Sequence, residues 1–529
     1  KPGIVPAIRI IHPIFGAVHP ISATAADRRG SFARNFANMM MKYLLMQVIA
    51  LMLLLLWLIP YGFGQPAQVL QRIRHVEYGL VPSVELAGEP AQRYTLADRM
   101  RYYHVPAVSI AVINNGQLEW AKAYGHLSAD SLQSATTETL FQAASVSKPV
   151  SALGVLKLAE QGRIALDSNV NTYLTSWKIP DSRFTAQKPV TLRQLLSHSS
   201  GLNVHGFGGY LPGKPLPAVR QILNGEAPAN SPAVRSDTVP GARWRYSGGG
   251  YMVIQQLTED ITRQPFATYM QQAVLKPLGM QHSTFAQPLP AHLLTKATTG
   301  HDGKGAKING NHHVYPELAP AGLWTTPTDL ATYLLHIQQA FRSQQGGLLS
   351  QAMTRQMLTP QSGGYGLGPG LGGQEDKLAF GHGGGNEGFR CFIYAFANTG
   401  QGAVVMTNAD NGMDLVYEVL RGISAEYNWP SFKPVVKKVV PLPAEQLARL
   451  AGRYEGHGNK KPELHITVSG KGLLVTQVWN GDSYTLLPEA GLTFFTRDGG
   501  DPFLFETSPD GRITSLLAFG SDRWTRKQE

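Results

Sequence analysis

Hydrophobic positions follow a strand-like rhythm in one early stretch of the chain and return to it much later. The stretch VPAVSIAVI (105–113) is followed by Asn114, Asn115 and Gly116 and then by LEWAKAYG (118–125). Two apolar runs joined by an Asn-Gly pair are typical of a β-hairpin. Further strand patterns lie at 378–382, 389–396 and 403–408. We expect the hairpin and these late strands to join one sheet.

Helix and loop signals fill the region between the hairpin and the late strands. From Ser145 to Gly162 apolar residues recur at helical spacing, and Pro149 falls in the first turn, where proline is tolerated. We therefore predict an amphipathic helix that begins at Ser145. A second helix is predicted at 413–427, after the last of the late strands. The helical region should lie on one side of the sheet.

The sequence changes character after this second helix. Residues 429–443 contain four prolines and are predicted to be a linker. Beyond them, short strand patterns recur at hairpin spacing, separated by turn pairs such as Asn480-Gly481. Such spacing is typical of an all-β domain. Residues 444–529 are therefore predicted to form a small β-barrel-like domain, and residues 65–428 a separate, larger one.

An apolar run marks the N-terminal part of the chain. Residues 43–58, YLLMQVIALMLLLLWL, follow Lys42 and contain Gln47 as the only strongly polar residue. The run is shorter than the ~20 residues of a full membrane span and suits the core of a signal peptide. We expect residues 39–64 to be a signal peptide or, if uncleaved, an inner-membrane anchor, and the protein to be exported, either periplasmic or extracellular. Residues 1–38, which precede three consecutive methionines, are interpreted as a non-native upstream extension.

Length, charge and cysteine content narrow the classes of function. With 529 residues the chain exceeds the ~250–300 residues of a single core, so at least two domains are expected. The net charge of +11 divides into +5 in the first 64 residues and +6 in the other 465, without a long run of Lys or Arg. This distribution argues against nucleic-acid binding. The single cysteine, Cys391, excludes an intrachain disulfide and lies in a strand pattern that predicts burial.

One short motif is a candidate for covalent catalysis. Ser145 and Lys148 form an S-x-x-K element, and a spacing of three on a helix places both side chains on one face. A serine hydroxyl becomes an effective nucleophile when a neighbouring base takes its proton, and a helix N-terminus favours developing negative charge. The motif alone is weak, because a bare S-x-x-K is expected about once by chance in a chain of this length. The ordinary alternative is a helix cap beside a solvated lysine.

Two later motifs make the first more specific. Tyr246 and Ser247 lie in PGARWRYSGGGY, and His382 lies in AFGHGGGNEGF at the start of a strand pattern. In this order the three motifs resemble those of the β-lactamase-related serine hydrolases: class C β-lactamases, penicillin-binding DD-peptidases, D-aminopeptidases and esterases of the same fold. The resemblance covers most of residues 95–425, with stretches such as TLRQLLSHSSGL, VLKPLGMQHSTF, PAGLWTTPTDLATYL and YGLG.

The resemblance implies a fold and a base system. The fold would be α+β, an α/β sandwich with an antiparallel sheet and a helical region, and the C-terminal domain is similar to the β-barrel appendage of some members. Ser145 would be the nucleophile, and Lys148 with Tyr246 would form the base system. Keeping Tyr246 ionised at neutral pH costs about 4 kcal/mol, which the nearby Lys148 could offset.

The resemblance also implies the surroundings of the substrate. The backbone N–H groups of Ser145 and Gly385 would form the oxyanion hole. Ser247, His382 and Gly384 are the other residues expected at the substrate or oxyanion. No cofactor and no metal is expected.

Two departures from the family pattern bear on the substrate. Gly248 stands where many relatives carry Asn, whose amide holds a carbonyl of a β-lactam or peptide; losing such a hydrogen bond costs about 1–3 kcal/mol. His382 stands where many relatives carry Lys, and a histidine need not be charged at neutral pH. Both changes favour an esterase, with a β-lactamase or a D-amino-acid or DD-peptidase as alternatives. The expected substrates are small esters, amides or peptidoglycan-derived molecules.

Other interpretations are less chemical. A non-catalytic sensor or scaffold that binds peptidoglycan fragments is the alternative of another class, and retention of Ser145, Lys148 and Tyr246 together disfavours it. Contact with a membrane is expected only through an uncleaved anchor. His198 is expected to cap or brace its loop. Glu387 and Arg390 are expected to form a local ion pair or to be solvated.

Overall fold

The computed structural model describes residues 39–41, 45–47, 64–343, 347–457 and 461–528. The predicted upstream extension 1–38 and most of the predicted leader lie outside these residues. Within the described ranges, no helix combines the length and apolar composition that a membrane crossing needs. Contacts separate the chain after residue 70, and the sheet, the helical region and the C-terminal barrel all belong to the unit Gln71–Glu529.

An antiparallel sheet forms the centre of the larger domain. The strands of this domain are β1 Val84–Leu86, β2 Ala107–Asn114, β3 Gln117–Gly125, β4 Phe141–Gln142, β5 Trp324–Thr325, β6 Gly370–Gly372, β7 Ala379–Asn386, β8 Phe389–Phe396 and β9 Gly402–Thr407. Six of them form one sheet in the order β3-β2-β9-β8-β7-β6. The β2–β3 hairpin turns at Asn115 and Gly116, which have φ angles of 52° and 73°, as a tight Asn-Gly turn requires. The predicted hairpin and its union with the late strands are confirmed.

Helices cover both faces of this sheet. The helices are α1 Gly64–Tyr78, α2 Leu96–Tyr102, α3 Ser147–Glu160, α4 Leu192–Leu196, α5 Val219–Asn224, α6 Gly248–Thr262, α7 Phe266–Met270, α8 Lys276–Leu278, α9 Ala291–Leu294, α10 Leu318–Ala321, α11 Pro327–Arg342, α12 Gln351–Met357, α13 Gly412–Glu426 and, in the C-terminal domain, α14 Ala444–Leu450. On one face α11 packs across β2, β8 and β9, where Leu334 shares a buried cluster with Ala111 and Met406. On the other face α13 packs on β8 and β9. Coverage from both sides explains why every residue of β9 is buried.

Shorter helical turns complete the helical region. They are the 3₁₀ turns Ala144–Val146, Val170–Thr172 and Glu375–Lys377 and the π-helical segment Gln271–Leu275. Helix α11 begins in the ordinary way: Thr326 accepts a hydrogen bond from the N–H of Asp329 at 3.2 Å, and Pro327 occupies the first turn.

The helix after the S-x-x-K motif differs from the predicted one. Helix α3 runs from Ser147 to Glu160, and eleven of its fourteen residues are buried. It is a core helix rather than an amphipathic one, because α6 and α10 pack against it. Ser145 lies just before α3, in the 3₁₀ turn Ala144–Val146.

The C-terminal domain is a closed β-barrel. Its strands are β11 Gly452–Gly456, β12 Glu463–Ser469, β13 Gly472–Gln477, β14 Ser483–Ala490, β15 Thr493–Thr496, β16 Pro502–Thr507, β17 Ile513–Ala518 and β18 Asp522–Arg526. The hydrophobic pattern did not reveal β11 and β18, whose antiparallel pairing closes the barrel. In β11 the large apolar residue is Tyr454 alone, and β18 has only Trp524, so neither strand shows a clear alternation.

The predicted linker contains a short strand that docks the barrel on the larger domain. Strand β10 (Val435–Lys437) pairs in parallel with β1. Val84 of β1 packs with Leu487 and Phe495 of the barrel in one buried cluster. Lys437 forms an ion pair with Glu489 at 2.8 Å. The two domains are therefore in direct contact through β1 and the linker.

Candidate active site

The turn that carries Ser145 has an unusual backbone conformation. Ala144, directly before Ser145, has a φ of +47°, in the left-handed region that non-glycine residues rarely adopt. The backbone of Leu323 binds this turn twice: its carbonyl accepts from the N–H of Ala143 at 2.9 Å, and its N–H donates to Ser147 Oγ at 3.0 Å. Strain of this kind persists only where the surroundings enforce it, so Ser145 is held in a defined position.

The Lys148 side chain reaches Ser145 through the protein interior. Its Nζ donates to Ser145 Oγ at 3.0 Å and to the carbonyl oxygen of Pro320 in α10 at 2.9 Å. Burial lowers the pKa of Lys148 to about 7, because an ammonium group is poorly solvated in the interior. A substantial fraction of the amine is therefore neutral near pH 7, with a lone pair available to accept a proton.

Tyr246 lies beside the same amine. The centroid of its ring is 4.8 Å from Lys148 Nζ, and its phenol interacts with the Ser145 side chain. Burial raises the pKa of Tyr246, and the interaction with Ser145 offsets only part of this effect. The pair consists of a protonated phenol and an amine that is easily neutralised, which differs from the expected ionised Tyr246. The reason is that burial removes the water that would solvate a phenolate at Tyr246.

Aromatic rings form a wall next to Tyr246. Trp244 stacks on Tyr365, with ring centroids 5.6 Å apart and an interplanar angle of 28°. Tyr365 in turn meets the Tyr246 ring edge-on at 6.4 Å. Trp244 is 38% exposed, so the wall opens to solvent. Tyr365 lies in the family-like YGLG stretch, but the sequence did not indicate that its ring would meet Tyr246.

His382 is a buried, neutral side chain near both tyrosines. Its ring centroid lies 6.0 Å from that of Tyr246 and 5.9 Å from that of Tyr365. Its Nδ1 donates to the carbonyl oxygen of Gly383 at 2.6 Å, so Nε2 is the unprotonated nitrogen, and Nε2 has no partner among the described residues. Burial and, to a smaller extent, the nearby Lys148 lower the pKa of His382 to about 3. The side chain can therefore accept a hydrogen bond but carries no charge at neutral pH.

The glycines of β7 bring that strand against the turn before Ser145. A Cβ on Gly384 would lie 2.3 Å from the carbonyl oxygen of Ala143 and 2.6 Å from Cys391 Sγ. Cys391 is fully buried, as expected, and donates to the same carbonyl at 3.2 Å. Gly384 thus permits a close approach of backbones, while the next residue, Gly385, is exposed.

Ser247 has a different role from the expected one. The residue is 1% exposed, and its hydroxyl donates to the carbonyl oxygen of Asn203 and accepts from the N–H of Gly250, both at 2.9 Å. It is the N-cap of α6. Because the hydroxyl proton is already donated to backbone, Ser247 caps a helix instead of facing a substrate.

The position where relatives carry Asn is closed by a loop. The N–H of Gly248 donates to the carbonyl oxygen of His205 at 3.0 Å. A Cβ on Gly248 would lie 3.0 Å both from that oxygen and from the Phe207 ring. The N–H of Gly249 donates to Val204, which itself has a left-handed φ of 61°. A side chain at position 248 would require this loop to move.

Buried amide side chains join the segments around Ser145. Asn386 Nδ2 donates to Gln142 Oε1 at 2.7 Å and to the carbonyl oxygen of Ala321 at 3.3 Å. Gln142 in turn donates to the carbonyl oxygen of His313 at 2.8 Å. These bonds tie β4, β7 and α10 together. Gln142 belongs to no recognised motif, and Asn386 lies in the AFGHGGGNEGF stretch but was not predicted to have a role.

Charged groups beyond β7 are paired locally. Glu387 lies 3.3 Å from His313, and Arg390 lies 2.9 Å from Asp410. Arg390 therefore forms an ion pair with Asp410 and not with Glu387, whose carboxylate contacts His313 instead.

The described residues contain no group of three or more His, Cys, Asp or Glu side chains that could hold a metal ion. A cavity of about 970 Å³ opens elsewhere, beside α2 and β3, and none of Ser145, Lys148 and Tyr246 lines it. The candidate site is identified by its side chains and not by cavity size.

Comparison with known proteins places this site in a family context. The family model described as Beta-lactamase matches residues 93–423. Protein flp of Staphylococcus aureus (strain N315) is 28% identical over 233 residues, 42% of this chain and 42% of that protein. Esterase EstB of Burkholderia gladioli is 30% identical over 206 residues, 38% of this chain and 51% of that protein. The chain thus spans about half the length, or less, of these curated relatives.

Solved structures show the same fold at lower identity. The octameric penicillin-binding protein homologue from Pyrococcus abyssi matches with a TM-score of 0.55 and 22% identity, over 82% of this chain and 98% of that one. The D-amino acid amidase from Ochrobactrum anthropi SV3, complexed with L-phenylalanine, matches with a TM-score of 0.52 and 19% identity, over 68% of this chain and 99% of that one.

Proposed function

Because the chain belongs to the beta-lactamase family, we propose that it is a serine hydrolase that forms an acyl-enzyme on Ser145 and acts on small esters. One observation carries the proposal: the Nζ atom of the buried Lys148 lies 3.0 Å from Ser145 Oγ. A base within hydrogen-bond reach of a serine hydroxyl is the requirement for nucleophilic catalysis.

In the first step, Ser145 Oγ attacks the carbonyl carbon of the ester. As the Oγ–C bond forms, the Oγ proton passes to the lone pair of neutral Lys148 Nζ across the 3.0 Å contact. The Pro320 carbonyl, 2.9 Å from Nζ, stabilises the resulting ammonium. A positioned base of this kind accelerates such a step by about 10²–10⁴-fold.

The tetrahedral intermediate then collapses. Its oxyanion is held by the backbone N–H groups of Ser145 and Gly385, a pairing supported by the close approach of Gly384 to Ala143. The bond to the leaving alkoxide breaks, and the alkoxide takes the Tyr246 phenol proton, which Lys148 replaces. Water next attacks the acyl-enzyme, with Lys148 and Tyr246 again moving the proton, and Ser145 is released with the free acid.

Three features of the site support an ester as the substrate. His382 is neutral and its free Nε2 can only accept a hydrogen bond, so it offers no charge to the carboxylate of a β-lactam or an acyl-D-Ala peptide. Gly248 lacks the side-chain amide that would hold a peptide carbonyl, and the loop at His205 and Phe207 leaves little room for one. The wall of Trp244 and Tyr365 offers an apolar surface to an acyl or alcohol group. The similarity to a protein named esterase EstB points the same way.

The proposal is tested by labelling and turnover. The purified protein is treated with a fluorescent alkyl fluorophosphonate and with fluorescent penicillin, and Ser145→Ala serves as the control. We expect phosphonate labelling and rapid hydrolysis of p-nitrophenyl butyrate, both abolished by Ser145→Ala. Absence of labelling by either reagent contradicts the enzyme proposal. Turnover of a chromogenic cephalosporin or of D-amino-acid amides above that of esters would replace the esterase by the corresponding hydrolase.

A further inference from the structure

His198 contacts Tyr246 and both of its chain neighbours. Its carbonyl oxygen accepts from the N–H of Arg245 at 2.8 Å. Its Nδ1 accepts from the N–H of Ser247 at 3.1 Å. Between these two bonds its ring stacks on the Tyr246 ring, with centroids 4.2 Å apart and planes at 29°. Two of the contacts fix the backbone of the residues before and after Tyr246, and the third covers the face of the Tyr246 ring.

His198 makes these contacts from an unusual backbone conformation. Its φ is +57°, in the left-handed region that a histidine rarely adopts, and the residue is 1% exposed. A second ring, that of Tyr365, meets the imidazole edge-on at 5.1 Å. A strained and fully buried conformation is retained only where the surroundings enforce it.

The hydrogen bond to Ser247 also determines which nitrogen of the neutral imidazole carries the proton. Because Nδ1 accepts, the neutral ring carries its proton on Nε2, which has no hydrogen-bond partner among the described residues. Burial and the nearby Lys148, His382 and His205 hold the pKa of His198 well below its usual value. Burial therefore favours the neutral ring, in which Nδ1 is an acceptor.

We propose that His198 is the positioning residue for Tyr246, holding the phenol where it can protonate the leaving group. This inference rests on the proposed function, in which Tyr246 is the acid. Tyr246 precedes the first residues of α6, in a loop, so its own helix does not orient it. A catalytic group displaced by about 1 Å loses about 10²-fold in rate. We call the three contacts of His198 with Arg245, Ser247 and the Tyr246 ring the His198 clamp. This clamp goes beyond the loop-bracing role expected from the sequence, because it positions one side chain of the proposed base system.

Two substitutions separate the parts of the clamp. His198→Asn keeps an acceptor at the position of Nδ1 and tolerates a left-handed φ, but it removes the stacked ring. His198→Phe keeps a ring but leaves the buried N–H of Ser247 without its acceptor. Both variants are normalised to the number of active sites that a fluorophosphonate titrates, so that misfolded molecules do not count.

The decisive readout is the dependence on the leaving group. We compare kcat/KM for a p-nitrophenyl ester, whose leaving group needs little protonation, with kcat/KM for the ethyl ester of the same acid. For His198→Phe we expect a loss of about 100-fold on the ethyl ester and about 10-fold or less on the p-nitrophenyl ester. His198→Asn should show the same order of effects with smaller losses, because it retains the bond to Ser247.

A matched control uses a second left-handed histidine. His104 has a φ of 53° and is exposed at the end of α2, so His104→Asn and His104→Phe make the same changes in the same backbone conformation. Both should keep wild-type kcat/KM on both esters. Wild-type activity in the His198 variants, or equal losses on both esters, overturns the clamp while leaving the proposed hydrolase intact. Failure of the wild-type protein to react with the phosphonate would instead contradict the proposed function.

Discussion

Lys148 donates a hydrogen bond to Ser145 at 3.0 Å, and the lysine residue is only 2% exposed. Because burial lowers the pKa of this lysine to about 7, the neutral amine needed as a base is lost as the pH falls through 7. We therefore expect kcat/KM for ester hydrolysis to rise with pH and to level off above an apparent pKa near 7. A profile measured from about pH 5 to about pH 9 checks this; a flat profile across that range would contradict it.

The same burial means that Lys148 lowers the free energy of unfolding near neutral pH. In the unfolded chain its pKa returns to 10.5, so between pH 7 and 10.5 the unfolded state binds the extra proton, and stability rises with pH. The shift corresponds to at most about 5 kcal/mol, less about 1–3 kcal/mol for the bonds that Lys148 makes. Lys148→Met should abolish activity and raise the free energy of unfolding in urea at pH 7. The gain should shrink towards pH 10, and a variant less stable than wild type at pH 7 would count against this account.

His382 should weaken the fold in acid. It is neutral in the folded protein, with a pKa of about 3 against the usual 6.5, and charged in the unfolded chain below pH 6.5. The unfolded state binds more protons in this window, so stability falls as the pH falls from 6.5 towards 3, by at most about 1.4 kcal/mol per pH unit. Urea unfolding of His382→Phe, which cannot titrate, should show a shallower loss between pH 6.5 and pH 4. If the unfolding free energy of wild type and of His382→Phe changed equally with pH, a neutral His382 in the folded protein would be refuted.

Gly384 should not tolerate a side chain. A Cβ there would lie 2.3 Å from the Ala143 carbonyl oxygen, so Gly384→Ala must push β7 away from the turn that holds Ser145. We expect kcat/KM to fall by about 100-fold, because the proposed oxyanion donor on β7 and the proposed nucleophile Ser145 move apart. Gly372→Ala in β6 is the matched control, since its Cβ would meet nothing within 4 Å. Equal activity of the two variants would show that the close approach is unimportant.

Restoring the family's Asn should not restore its chemistry. Gly248→Asn would place a Cβ 3.0 Å from the His205 carbonyl and from the Phe207 ring, so the loop must shift to admit it. We expect no gain in cephalosporin hydrolysis and a loss of stability of about 1–3 kcal/mol, the typical range for overpacking a buried position. Both are measured on the same preparation, by absorbance and by thermal unfolding. A large gain in β-lactam turnover would mean that the residue, and not the loop, limits the substrate range.

Local patterns were sufficient for much of this protein. Alternating apolar runs and an Asn-Gly pair located the β2–β3 hairpin, and repeated short runs located most of the barrel. The order of three motifs indicated the family and pointed to Ser145, Lys148, Tyr246 and His382 as candidate site residues. The structure brings these four residues together. These features were predictable because they depend on neighbouring residues or on motifs that are themselves local.

Tertiary structure alone decided how the gathered residues can act. The lowered pKa of Lys148 follows from its burial among helices that are far apart in the chain, and the capping role of Ser247 follows from bonds to Asn203 and Gly250. The contacts of His198 with Ser247 and Tyr246 join two loops, and no sequence pattern predicts that these loops meet. Charge state, hydrogen-bond partners and left-handed backbone angles depend on groups that folding assembles from distant segments. For that physical reason the sequence was sufficient to propose Ser145, Lys148 and Tyr246 as candidate residues, whereas the burial of Lys148 and the contacts of His198 with Tyr246 are visible only in the folded chain.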